Sequence, residues 1–139
     1  MNSQNHNVDS EKLLAAFAEM SKAGNAFVAM DYNLKFLFVN ELAEKFYKKE
    51  KSQLVGHSVE SIFPKEMEFG PFKNVIKDVR SKKAFEISYL SPFAKDWVKL
   101  VGQPHEEYYT FTYRVIDYKE VLKDELRNEM KKSRAHTAK

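Results

Sequence analysis

The chain has 139 residues, 43% of them hydrophobic and 31% charged, with a net charge of +3. That is the composition of a single core-forming domain, and it excludes disordered, collagen-like and repeat architectures. With no Cys at all, disulfides, cysteine-ligated metals, thiol catalysis and cysteinyl cofactor adducts are excluded as well. No run approaches the ~20 apolar residues needed to cross a bilayer. The polar start, Met1 to Asn7, lacks the basic-then-apolar layout of a secretory signal. A cytoplasmic protein without membrane contact is therefore expected. The net charge sits in the tail: from Lys119 to Lys139 there are seven Lys or Arg against four Asp or Glu. This reads as a solvated helix end rather than a nucleic-acid contact, because the rest of the chain is neutral.

Residues 1–9 are expected to be disordered. Asp9 and Ser10 offer a helix cap, and Leu13, Leu14, Phe17 and Met20 follow helical spacing, predicting an amphipathic helix over residues 10–22 that stops at Gly24-Asn25. Ala26 to Met30 and Lys35 to Val39 predict a hairpin turning at Asp31-Tyr32-Asn33. Asn40 is placed to cap a helix from Glu41 to about Lys48. After a polar, Lys-rich stretch, Ser58 can cap a very short helix through Ile62 and Phe63, which Pro64 stops. Pro71 suits the first position of a longer helix whose Phe72, Val75, Ile76 and Val79 share one face. Three strands follow: Phe85 to Tyr89, Trp97 to Val101 (bounded by Gly102 and Pro104) and Tyr109 to Val115. A thinly apolar helix near 118–131, carrying Val121, Leu122, Leu126 and Met130, leads into the basic tail. Five antiparallel strands with helices gathered on one face make an α+β fold.

The order of these elements and several local runs resemble the PAS domain, the sensory module of bacterial kinases, cyclases and transcription regulators. Ala26 to Asp31 and Leu34 to Asn40 resemble the family's opening hairpin with its strand-ending Asn. Leu54-Val55-Gly56-His57-Ser58 followed by Ile62-Phe63-Pro64 is similar to its L-x-G-x-S … hh-P run. Tyr89-x-x-Pro92, Trp97 to Leu100 and Pro104 resemble the aromatic-Pro loop and Trp-bearing strand, and Tyr109 to Asp117 the last core strand. The likeness spans about residues 11–117. One departure is visible: His105-Glu106-Glu107 stands where the family often has Gly in the last hairpin. The resemblance implies a PAS-like domain over residues 10–117, with residues 118–139 as connector helix and tail.

The family's known chemistries can be tested against this chain. The cysteinyl flavin adduct and the thioester-linked chromophore both need the missing Cys. Haem needs an axial ligand, usually His, and none lies between Pro64 and Lys83; Met67 there reads as packing. His6, His57, His105 and His136 share no metal-ligand spacing. No nucleophile elbow, phosphate-binding loop or dinucleotide fingerprint is present. A non-enzymatic domain with no cofactor and no metal is expected.

The 11 Phe and 7 Tyr admit two outcomes. The rings fill the space between sheet and helices themselves, as close-packed cores do. Or they leave an apolar pocket for an uncharged small molecule, with Phe46, Ile62, Ile76, Phe85 and Tyr113 as its candidate wall. A buried Tyr hydroxyl needs a hydrogen-bond partner, and a ligand is one way to supply it. The expected function is a sensory or protein-interaction domain that passes a conformational or ligand-dependent signal to a partner, a kinase or a transcription regulator. The alternative is a small α+β enzyme or carrier with an apolar molecule in that cavity. The second sheet face also carries apolar groups, so something must cover it: the N-terminal helix folding back, a second copy of the chain, or both. Leu13, Leu14, Phe17 and Met20 are the candidate homodimer or partner surface.

Overall fold

The computed structural model describes the backbone of residues 2–137 and the side chains of 11–22 and 24–130. It begins with helix α1 (Asn2–Met20), a short 3-10 turn (Ser21–Ala23) and strands β1 (Ala26–Met30) and β2 (Phe36–Val39). Helices α2 (Glu41–Tyr47), α3 (Lys51–Leu54) and α4 (Val59–Ile62), a 3-10 turn (Glu66–Glu68) and α5 (Gly70–Arg80) follow. Strands β3 (Phe85–Leu90), β4 (Trp97–Pro104) and β5 (Tyr109–Val115) and helix α6 (Tyr118–Thr137) complete it. The five strands form one antiparallel sheet in the order β2-β1-β5-β4-β3, so the first and last strands meet at its centre.

Alternation decides the two faces. Ala26, Val28 and Met30 of β1, Val98 and Leu100 of β4, and Tyr109, Phe111 and Tyr113 of β5 point into the main core beneath α2 to α5. Phe27 and Ala29, the alternate residues of β1, join a second cluster on the opposite face. A bulge opposite Ala29 and Met30 lets Leu37 and Phe38 of β2 both lean toward that second cluster while Phe36 and Val39 stay in the main core. Both faces are thus apolar, and the chain's own terminal helices cover the second one.

α1 lays Phe17, 1% exposed, against Phe27 and Phe38 and edge-on to Tyr108 at 4.9 Å. Gly24, at φ 85°, then reverses the chain into β1, a backbone conformation that L side chains resist. α6 covers the β4 side with buried Val121, while Tyr118 meets Trp97 at 5.9 Å. Lys99 Nζ is held by Glu120 at 3.1 Å and Asp124 at 3.2 Å, and Arg114 reaches Glu120 at 2.6 Å. Through Glu120, Val121 and Asp124 the first two turns of α6 are therefore docked on the sheet.

Local signals behave as the residues dictate. Asn40 Oδ1 accepts from Ala43 N at 2.9 Å, capping α2, and also from Phe27 N at 3.0 Å, while its amide donates to Asn25 O. Ser58 Oγ accepts from Ser61 N, and Pro71 stands in the first turn of α5. Asp31 Oδ1 accepts from Asn33 N and Lys35 N, tightening the hairpin turn.

Several boundaries differ from the sequence reading. Met1 lies outside the described residues, but 2–9 are helical rather than disordered, and α1 runs through the expected cap at Asp9 and Ser10. Extending a helix costs far less than nucleating one, so polar residues can be carried along. α3 occupies part of the stretch read as polar loop, with Gln53 Oε1 accepting from Glu50 N. Lys35 makes only an isolated bridge to Ser58. β4 runs three residues further than expected, through Gly102, Gln103 and Pro104, because β5 pairs with it there. β3 begins at Phe85, opposite Gly102, and does not reach Pro104, so the missing N–H of Pro104 breaks no ladder on that side. α6 continues to Thr137, and Ala138 and Lys139 lie outside the described residues.

Candidate functional site

Between the inner sheet face and the helices lies an apolar cavity of about 40 Å³. Met30 of β1, Leu100 of β4, and Phe111 and Tyr113 of β5 form its floor. Tyr47 of α2 and Phe72, Val75 and Ile76 of α5 form its walls. Phe93 reaches it from the loop between β3 and β4. That loop is built on Ser91, which is buried and whose hydroxyl accepts from Phe93 N at 3.1 Å and Ala94 N at 3.2 Å. The bend drives the Phe93 ring among Phe46, Tyr47, Phe63 and Phe72, at centroid distances of 4.8 to 5.9 Å.

Of the five residues expected to line a pocket, Ile76 and Tyr113 do so. Phe46 instead stacks on the far side of Tyr113 at 4.7 Å. Ile62 packs against the core without lining the cavity. Phe85 lies over Gly102 and stacks on Tyr109 at 6.1 Å. Phe93 and Tyr47 were missed. A large ring in the short loop Ser91-Pro92-Phe93-Ala94-Lys95-Asp96, between two strands, was the available signal for Phe93. On the second face, Phe17 belongs to the chain's own packing, which removes it from a surface offered to a partner. Leu13 and Met20 are half-buried beside it, and of the predicted four only Leu14, 48% exposed, faces outward.

The polar groups near the cavity are tyrosine hydroxyls. Those of Tyr47 and Tyr113 are bonded to each other at 2.6 Å, both buried. Tyr89 is also buried, packed edge-on to Phe72, and its hydroxyl has no hydrogen-bond partner. Burial raises the pKa of all three well above the ordinary phenol value, with added mutual repulsion between the hydroxyls. They are neutral donors at any physiological pH. Tyr109, whose hydroxyl donates to Lys83 O at the sheet's other end, is pushed up to about 12 by burial.

Outside the cavity, His57 is exposed. His105 stacks on Tyr108 at 4.5 Å, with Nε2 3.2 Å from Thr110 Oγ1, and burial lowers its pKa. No cluster of His, Asp and Glu is spaced to hold a metal among the described residues. A space of about 40 Å³ takes roughly three waters or a molecule of a few heavy atoms.

The next geometric feature links this cavity to α6. Leu100 and Tyr113 face each other across β4 and β5 on the inner side and line the cavity. The adjacent rung, Lys99 opposite Arg114, points to the outer side, and both cations hold Glu120 of α6. Burial alone would lower the Lys99 pKa, but its bonds to Glu120 and Asp124 outweigh that and raise it. Glu120 is lowered in turn, first by Arg114 and then by Lys99.

No family model matches the chain, and no curated protein matches it. Solved structures do. The PAS domain of Bordetella pertussis BvgS superposes with a TM-score of 0.60 at 8% identity, covering 88% of this chain and 98% of that one. The photoactive yellow protein domain of the sensor histidine kinase Ppr from Rhodospirillum centenum has a TM-score of 0.58 at 12% identity, covering 70% and 91%. The PAS domain of the Cronobacter turicensis quorum-sensing receptor RpfR, in complex with BDSF, has a TM-score of 0.53 at 16% identity, covering 67% and 94%. Together with the strand order, the capping Asn40 and the helices over the inner sheet face, these likenesses establish that the chain has the fold of a PAS domain.

Proposed function

We propose that this chain is a non-enzymatic sensory domain that converts a change in its core into a change in how α6 is held. The observation that carries this reading is the pair of neighbouring rungs in β4 and β5. One rung, Leu100 with Tyr113, touches the cavity, and the next, Lys99 with Arg114, grips Glu120. Displacing the first rung must tilt the second, because one peptide unit on each strand (99–100 and 113–114) joins them and interiors this dense transmit strain rather than absorb it. The output is a partner protein, a kinase or transcription regulator, meeting α6. That helix exposes Tyr118, Leu122, Leu126 and Met130. The protein works in the cytoplasm as a homodimer, with Leu14 and the apolar residues of α6 as the surfaces available for pairing.

The similar structures come from sensor kinases and a quorum-sensing receptor, which supports a sensory role. The carrier alternative is disfavoured by the cavity's small volume, since cargo is a whole molecule of ordinary size. Hydrogen exchange tests the coupling. Val75→Ile fills the cavity from α5 and should change exchange along α6 at least threefold while leaving α1 unaffected. Unchanged α6 exchange, with the substituted side chain shown to occupy the cavity, would overturn the reading. Light scattering at micromolar concentration tests the dimer, which a monomer throughout the range would exclude.

A further inference from the structure

Apart from the cavity and from the apolar stripe of α6, a groove of about 440 Å³ lies between α2 and the end of β5, open to solvent. The stacked rings of Phe46 and Tyr113 form its base, with Ala26 and Ala94 beside them. Leu42 of α2, 43% exposed, and Val115 of β5, 58% exposed, turn large aliphatic groups to water there. The charged residues that line it are of one sign: Lys45 and Lys48 of α2 and Arg114 of β5, with no carboxylate among them. Arg114 is already bonded to Glu120, but Lys45 and Lys48, both exposed, hold no ion pair among the described residues. The acids of α2 do not answer them: Glu44 accepts from Lys51 N at 3.0 Å, and Glu41 forms no ion pair with Lys45. Lys48 also keeps a left-handed backbone, φ 57°, that Gly would hold with less strain.

We propose that this groove docks an acidic amphipathic segment of a partner protein, its aliphatic side chains on Leu42, Phe46 and Val115 and its carboxylates on Lys45 and Lys48. An apolar floor with a polar rim is the general form of a protein-docking groove. The sign of the rim selects the partner. A basic segment would set like charges against two unpaired ammonium groups, whereas an acidic one balances both. Two lysines three residues apart on one helix call for two carboxylates, which a peptide chain carries and a simple fatty acid does not. The chain's own exposed apolar helix is a poorer match, because Lys119, Lys123 and Arg127 alternate with the acids of α6.

Three peptides of one design test this against the full chain: leucines at helical spacing, with glutamate, glutamine or lysine at the flanking positions. Each is titrated in, with binding followed by NMR shifts of the backbone amides. The glutamate peptide should move Leu42, Lys45, Lys48 and Val115, and should bind at least fivefold more tightly than the glutamine form. The lysine peptide should bind weakest. In the double variant Lys45→Glu/Lys48→Glu the order should reverse, with the lysine peptide the tightest, an effect that misfolding cannot imitate. Lys48→Gly should weaken the glutamate peptide at least twofold while its thermal midpoint stays level or rises, since Gly accepts that φ. Equal binding of the glutamate and lysine peptides would overturn the charge selection, and shifts confined to α6 would overturn the placement. Decanoate binding this groove more tightly than the glutamate peptide would overturn the protein partner in favour of a lipid-derived acid. A dimer in light scattering that Leu42→Ser breaks, with no peptide bound, would give the groove to a second copy instead. If nothing binds, the docking proposal falls, while the core-to-α6 coupling stands on its own hydrogen-exchange test.

Discussion

Replacing Gly102 by Ala should destabilise the sheet by an amount that shrinking Phe85 recovers. Gly102 pairs with Phe85 of β3 and Phe111 of β5. The Phe85 ring crosses its backbone so closely that an added Cβ would stand 2.3 Å from Cε1, 2.7 Å from Cζ and 2.8 Å from Cδ1. Carbon atoms pack at about 3.5–4.0 Å, so the ring must retreat by more than an ångström. It cannot do so freely, since Tyr109 stacks on it at 6.1 Å and Phe111 leans on it at 6.3 Å. Overpacking of this kind costs about 1–3 kcal/mol. The reduced freedom of Ala in the unfolded chain offsets about 0.4–1 kcal/mol. The net loss is about 1–2 kcal/mol, which for a chain of this length lowers Tm by roughly 3–10 °C. Urea and thermal unfolding of wild type, Gly102→Ala, Phe85→Leu and the double variant make a closed cycle. Phe85→Leu alone should cost about 1 kcal/mol, and in the Gly102→Ala background it should cost nothing or stabilise, a coupling of at least ~1 kcal/mol. Strictly additive losses, or a Gly102→Ala protein as stable as wild type, would refute the reasoning.

Asn40→Ala removes a helix cap and two further bonds that tie β1 to α2, and urea unfolding should show a loss of about 2–3 kcal/mol; a loss below about 0.5 kcal/mol would show that those bonds are replaced by water at no cost. Phe17→Glu puts a charge into the outer cluster, so α1 should lift off and lose hydrogen-exchange protection over residues 11–20 while the inner core stays protected. Equal protection of α1 in both proteins would exclude its role as the cover. Burial raises the folded pKa of Tyr47, Tyr89, Tyr109 and Tyr113, so their contribution is complete below the unfolded value near pH 10 and declines above it as only the unfolded chain ionises. Stability should therefore fall from about pH 10 upward by roughly 1.4 kcal/mol per pH unit for each such tyrosine, with tyrosinate absorbance appearing cooperatively at unfolding; gradual titration of all seven Tyr in the folded state would contradict it. Glu120 is shifted the other way, so its grip is complete above its unfolded carboxylate value and is lost as pH falls through the lower folded one; proteolysis should then release α6 before the core opens.

The elements that sequence alone determined are those whose cause lies within a few residues. Asn40 and Ser58 cap because the N–H groups they serve belong to the next turn, Pro71 opens α5 because its ring presets the first helical φ, and Tyr109 to Val115 alternates because a strand's period is two. Such signals in their order were enough for the five strands and for the likeness to the PAS fold. The tertiary structure decided everything that depends on which distant residue arrives opposite. Gly102 to Pro104 read as an end of β4 until β5 paired with them. Phe93 looked like a loop residue, yet it is drawn inward by rings from α2, α4's end and α5. Phe46 and Phe85 were placed correctly in the core but not at the cavity, because an empty volume is the small remainder between large packed ones and moves with every neighbouring side chain. The link from Leu100 and Tyr113 to Lys99 and Arg114 is a matter of register, and α6's acidic residues meet those cations only once the helix has folded back over the sheet. Register and docking are set by long-range pairing, whose energy no local window of the sequence contains.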